Sequence, residues 1–234
     1  MWEVHQKFGS LPWNELIEDA IYYAENGFEI TPFLADILLR YSESLSLFAE
    51  TKEIFQLHYP NFKNKTLVQK DLANTLKIIA SKGRKGFYEG EIAEKISSEI
   101  KKNNGLISKS DLKNYSPVWR EPLISNYRET DIITMGPPSS GGLHVIQMLN
   151  ILENYDLKKI GHNSLEYINL LTEVMKFAYA DRSKYLGDPD FYDVPIKKIT
   201  SKKYANDINK NIQIGKLTPV NEINPGKYMD GESH

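Results

Sequence analysis

Cysteine is absent from all 234 residues. Disulfides, thiolate nucleophiles and Cys-ligated zinc are therefore excluded. The absence leaves the compartment open, because exported proteins also do without cysteine. A basic excess is missing too: 29 Lys and Arg stand against 31 Asp and Glu. That balance lacks the electrostatic footprint of a nucleic-acid partner or of an anionic membrane. No apolar run reaches the roughly 18 residues a membrane span needs. The opening MWEVHQKFGSLPW has no basic stretch followed by an apolar one, so it does not read as a signal peptide. Trp2, Val4 and Phe8 are instead apolar at helical spacing from the outset, as if the chain were joined inside a domain. Internal repeats and low-complexity segments are also lacking.

What is present can build a core. Hydrophobic residues make up 41% and charged residues 26%, ordinary globular usage, so long disorder is not expected. We read 1–234 as one domain in three stretches. Residues 1–115 read as helices. In Leu11–Gly27, Pro12 lies near a helix start, and Leu16, Ile17, Ala20, Ile21 and Ala24 form one stripe that Gly27 ends. Thr31 and Pro32 read as the N-cap and first position of the next helix. Residues 51–65 read as a loop carrying short structure. Thr66 and Gln69 read as a capping box for a helix stopped by Gly83. Ile92, Ile96 and Ile100 mark one face of another helix, ended near Gly105.

Residues 116–187 read as a hairpin followed by buried helices. Leu123–Tyr127 and Asp131–Met135 are rich in β-branched and aromatic residues and broken at 128–130. Ile132–Met135 is apolar on both faces, which suits a strand covered on both sides. Leu143–Leu152 has little polar surface and predicts a deeply buried helix. The next helix is predicted to start at Asn163 as N-cap, with Glu166 three residues on. Residues 188–234, rich in Pro, Gly, Asn and Lys, read as an extended surface arm with one short helix near 202–211.

Met135–Gly142, MGPPSSGG, is the stretch that invites chemistry. As a phosphate cradle it lacks the Lys-Ser/Thr that follows the second glycine of a P-loop; Leu143 and His144 stand there. As a nucleophile, Ser139 or Ser140 needs a base, and neither sits in a G-x-S-x-G elbow. His144 lies one helical turn past Ser140, within geometric reach. The simpler reading makes the serines helix caps and lets Gly141 and Gly142 allow close packing. His5, His58, His144, His162 and His234 are scattered without metal-ligand spacing. Asp188, Asp190 and Asp193 lack the glycine a calcium loop needs and read as a turn. Asp181 and Arg182 read as part of a structural network. Residue by residue, no catalytic site is complete.

Five segments in order resemble the large subunit of γ-glutamyltranspeptidases (glutathione hydrolases): 2–38, 66–115, MGPPSSGGLHVIQMLNILENYDL, FAYADRSKYLGDPDF and INPGKYMDGESH. The resemblance covers essentially the whole chain. It implies an α/β fold, part of an Ntn-hydrolase αββα sandwich that is mostly helical here. It implies a precursor that cuts itself at or near His234. The new N-terminal threonine of a small subunit would be the nucleophile and its own amine the base. It implies γ-glutamyl substrates such as glutathione, the small subunit as partner, and neither cofactor nor metal. A periplasmic or extracellular setting fits the family. The family's substrate-binding arginine and its small-subunit aspartate, serine pair and glycine pair have no counterpart here. Ser139, Ser140, Gly141 and Gly142 are a different loop, expected to be structural. No catalytic residue is thus expected in this chain, and alone it is predicted to be inactive. The alternatives are a poly-γ-glutamate depolymerase, a glutaryl-type acylase, or a non-catalytic fragment serving as scaffold.

Overall fold

A computed structural model describes residues 1–56 and 65–226. The chain forms two compact units, Met1–Val118 and Trp119–His234. His58 and His234 lie outside the described residues.

The first unit is helical. It contains α1 (Trp2–Phe8), α2 (Glu15–Asn26), α3 (Pro32–Arg40), α4 (Ser42–Leu45), α5 (Ala49–Gln56), α6 (Lys70–Lys82), α7 (Arg84–Tyr88), α8 (Gly90–Lys102) and α9 (Lys109–Asn114). Thr31 caps α3 as expected: its hydroxyl accepts the Leu34 N–H. Gly27 and Gly83 end α2 and α6, both at positive φ. Trp13, just before α2, donates to the Ile79 carbonyl of α6 at 3.0 Å, and Glu25 of α2 pairs with Lys77 of α6.

The capping box expected at Thr66 does not form. Thr66–Leu67 is instead a short strand, β2, antiparallel to β1 (Phe28–Glu29), and α6 starts at Lys70 without a side-chain cap. Leu67 is buried there with Ile30 and Leu38. Burying a leucine contributes about 1.5–3 kcal/mol, more than the ~1 kcal/mol of a cap. Part of the stretch expected to be a loop is α5, and residues 57–64 lie outside the described residues.

The second unit positions the residues of interest. Strands β3 (Leu123–Tyr127) and β4 (Thr130–Thr134) form an antiparallel hairpin in which Leu123 faces Thr134 and Tyr127 faces Thr130. Arg128 opens the two-residue turn at φ 56°. Its N–H donates to Glu153 at 2.6 Å and its guanidinium to the Tyr155 carbonyl at 3.0 Å. These bonds offset the cost of left-handed backbone at a non-glycine residue. Ile124 and Ile133 are direct partners across the strands and stand 72% and 70% exposed. Within this chain one face of the hairpin is packed and the other, apolar at Ile124 and Ile133, is open.

Helix α10 (Ser140–Leu152) runs through the middle of this unit. Around it pack α12 (Leu165–Tyr185), α13 (Ile196–Ile199) and α14 (Lys202–Asn209), while the single turn α11 (Leu157–Ile160) leads into α12. Ile151, Leu170, Val174, Phe177 and Ile208 centre one core; Leu143, Val194 and Ile199 centre a second. The buried helix predicted at 143–152 is thus present. The N-cap of α12 is Ser164, not Asn163: Ser164 is extended and accepts the Tyr167 N–H, whereas Asn163 is left-handed at φ 59° and ends the preceding turn. A cap must be extended to aim its side chain at the helix, and Asn163 is not.

The extended surface arm is also corrected for residues 194–223. Val194, Ile199, Tyr204, Ala205, Ile208, Ile212 and Ile223 are all buried. Their polar neighbours hid an apolar set spaced to follow the grooves beside α10 and α12. No helix among the described residues is long and apolar enough to cross a membrane.

Candidate functional site

The residues MGPPSSGG lead from the end of β4 into α10. The Pro137–Pro138 bond is cis. Ser139 is the N-cap, and its hydroxyl accepts the Gly141 N–H at 3.4 Å. The Ser140 hydroxyl accepts from the Arg182 Nε at 2.9 Å. Gly142 faces the strand end: a Cβ there would overlap the Met135 carbonyl oxygen and the Thr134 side chain. The glycine therefore sets how closely α10 can approach β4.

His144 does not complete a dyad with Ser140. Its Nδ1 lies 2.8 Å from the Gln147 Oε1. Gln147 spends its amide N–H on Asp181, at 2.6 Å, so its carbonyl faces His144 and Nδ1 carries the proton. The Nε2 is buried and has no partner among the described residues. Burial pushes the His144 pKa down, against the opposing pull of Gln147 and Asp181, which favours the neutral ring.

Asp181 is the hub of this network. It is 1% exposed. One carboxylate oxygen accepts from Gln147 at 2.6 Å and from the Tyr204 hydroxyl at 2.7 Å. The other accepts the Gly226 N–H at 2.8 Å. Burial raises the Asp181 pKa; Tyr204, Gly226 and Gln147 oppose that rise without cancelling it. Tyr204 is pushed up strongly, first by burial and then by the charge of Asp181. A second buried carboxylate, Glu173, accepts from Lys176 at 2.7 Å and from the Thr218 N–H at 3.2 Å. Burial works against its charge, but Lys176 and Thr218 outweigh it and its pKa is lowered.

The other candidates resolve as structure. Asp190 N–H donates to Asp188, and Arg120 pairs with Asp190 at 2.6 Å, so the aspartate run is a braced turn. His5 bonds the Leu11 carbonyl and sits edge-on to Trp13. His162 packs against Tyr167. Among the described residues no cluster of three His, Asp or Glu side chains is placed to hold a metal. Gln147, Tyr204 and Gly226 went unnoticed in the sequence. The usable signal was a His and a Gln three apart inside an otherwise apolar helix, since a buried polar pair needs a buried partner.

The network leaves no hydroxyl of this loop beside a base. Ser139 accepts from backbone, Ser140 is held by Arg182, and the imidazole is tied to Gln147. The arrangement can fix a strand end, a helix start and the segment at Gly226 against one another. It offers no nucleophile.

The γ-glutamyltranspeptidase family model matches residues 1–233. The glutathione hydrolase proenzyme of Escherichia coli is 46% identical over 97% of this chain and 40% of its own length. The acylase ACY 1 proenzyme of a Pseudomonas strain is 37% identical over 88% of this chain and 37% of its own length. The crystal structure of Helicobacter pylori γ-glutamyltranspeptidase superposes with a TM-score of 0.93 at 41% identity, over 99% of this chain and 67% of that one. The chain spans about two fifths of the length of the curated relatives it matches. Its α/β fold is the one the resemblance implied, mostly helical with two small antiparallel sheets among the described residues. Sequence and fold together place the chain in the γ-glutamyltranspeptidase family.

Proposed function

We propose that this chain is the large-subunit portion of a γ-glutamyltranspeptidase, or glutathione hydrolase, that is processed from a precursor. The observation that carries the reading is its 46% identity to a glutathione hydrolase proenzyme along nearly its whole length. The geometry supports a scaffold role, because among the described residues Ser139 and Ser140 are held by hydrogen bonds and His144 is buried against Gln147. In this reading the bond after His234 is cut, and a threonine that follows becomes the N-terminus of the small subunit. Its amine takes the hydroxyl proton, and the hydroxyl attacks the γ-glutamyl carbonyl. The amine product leaves, and an ester-linked γ-glutamyl enzyme remains. Water then releases glutamate, or an amino acid or dipeptide takes the γ-glutamyl group. The open face of Ile124 and Ile133 is where strands of the small subunit would pack.

A second reading, a glutaryl-type acylase, has support in the 37% identity to the acylase ACY 1 proenzyme. The higher identity favours the first. The test compares γ-glutamyl-p-nitroanilide hydrolysis by the 234-residue chain alone with hydrolysis by the precursor that contains it. The chain is expected to be inactive, and the precursor active once a second polypeptide with N-terminal Thr appears. Turnover by the isolated chain, or a processed precursor that cleaves only glutaryl amides, would overturn the reading.

A further inference from the structure

We propose that Asp181 is a positioning residue for self-cleavage, acting through Gly226 on the direction in which the chain leaves the core. The proposal rests on the processing reading above. Most of the ties that hold Asp181 are internal: Gln147 lies on α10 and Tyr204 on α14. The Gly226 N–H is different, because it belongs to no helix or strand. A buried carboxylate is costly to place unless it is hydrogen-bonded. Here one whole oxygen is given to a single backbone N–H next to the processing segment.

Gly226 is shaped for this contact. Its φ is +69°, a region that glycine occupies at little cost. A Cβ at Gly226 would overlap the Tyr185 ring and hydroxyl. Tyr185 in turn donates to the Pro225 carbonyl at 3.3 Å. Two residues of α12, Asp181 and Tyr185, one turn apart, thus grip Pro225 and Gly226 from one side. Both belong to the FAYADRSKYLG stretch, whose aspartate had no catalytic partner to explain it.

Magnitude separates tethering from aiming. Residues 227–234 are eight residues beyond Gly226, and Ile223 is the buried residue before it. With Pro225 still held by Tyr185, releasing Gly226 alone would lengthen the stretch from the last hydrogen-bonded described residue to His234 from eight residues to nine. By loop-closure entropy that lowers the local concentration less than about twofold. Misdirection costs far more, since a misplacement of about 1 Å can reduce a rate about 100-fold. A large effect therefore reports direction, and a small one reports only tether length.

The experiment measures the first-order rate of cleavage of the full precursor by intact-mass spectrometry. Asp181→Ala removes the acceptor, and Gly226→Pro removes the N–H and the positive φ at a partly exposed site outside the core. Tyr204→Phe removes another bond to the same carboxylate and leaves Gly226 in place. Asp181→Ala and Gly226→Pro are expected to slow cleavage at least tenfold, and Tyr204→Phe less than threefold. Molecules of either slow variant that do become cleaved are expected to turn over γ-glutamyl-p-nitroanilide at the wild-type kcat. If Asp181→Ala fails to fold, Gly226→Pro decides alone. Cleavage of Gly226→Pro within twofold of wild type would overturn the proposal while leaving the processing reading intact. A wild-type precursor that never cleaves would overturn both.

Discussion

The approach of α10 to the end of β4 yields a two-sided test at adjacent glycines. At Gly142 an added Cβ would overlap the Met135 carbonyl oxygen and the Thr134 Oγ1. The first obstacle is backbone and cannot rotate aside. At Gly141 the same atom would meet only the Ser139 hydroxyl, at 3.7 Å, an ordinary contact. Both glycines lie in the first turn of one helix, so Ala brings each a similar gain of up to about 1 kcal/mol from reduced freedom of the unfolded chain. Overpacking at a rigid site costs about 1–3 kcal/mol. Gly142→Ala should therefore destabilise by about 2 kcal/mol net, and Gly141→Ala should stabilise by a few tenths to about 1 kcal/mol. For a cooperative unit of about 150–250 residues, 1 kcal/mol moves the Tm by about 2–4 °C. Differential scanning fluorimetry of the 234-residue chain should show Gly142→Ala lower by roughly 4–8 °C and Gly141→Ala unchanged or slightly higher. Shifts of the same sign and size would refute the close approach of helix and strand end.

Two further outcomes follow from the second unit. Glu173 has its pKa lowered in the fold, so it adds stability at neutral pH that is lost as pH falls from its ordinary value of 4.5 through the lower folded value. Glu173→Gln should flatten that acid limb of a Tm-against-pH curve; an unchanged acid limb would mean that Lys176 and Thr218 do not favour the charged form. Ile133→Asp places a charge on the open strand face beside Ile124. It should leave the hairpin folded, because that face is solvent-exposed here, yet impair assembly of the processed enzyme, read as loss of the two-chain species in size-exclusion chromatography. Wild-type assembly would show that this face is not covered.

Several features were legible in the sequence because they depend on local chemistry. Pro32 after Thr31 sets a helix start through fixed φ and a hydroxyl acceptor, whatever surrounds it. Residues 143–152 could be recognised as a central helix because they are apolar nearly all round. Where local and long-range demands competed, packing prevailed. Thr66 resembled a cap but became a strand residue, because Leu67 beside it could be buried against Ile30 and Leu38. Residues 194–223 look polar on average, yet their apolar positions meet grooves that exist only once α10 and α12 have packed.

By itself the sequence determined the family, several helix starts and stops such as those at Thr31, Gly27 and Gly83, the hairpin and the lack of any cysteine chemistry. Those rest on residue identity and on spacings of a few positions. Tertiary structure decided which polar residues matter. Asp181 is 34 positions from Gln147, 23 from Tyr204 and 45 from Gly226. No periodicity links such distances. Only the low dielectric of a closed core, where an unpaired carboxylate is costly, draws the four groups to one point.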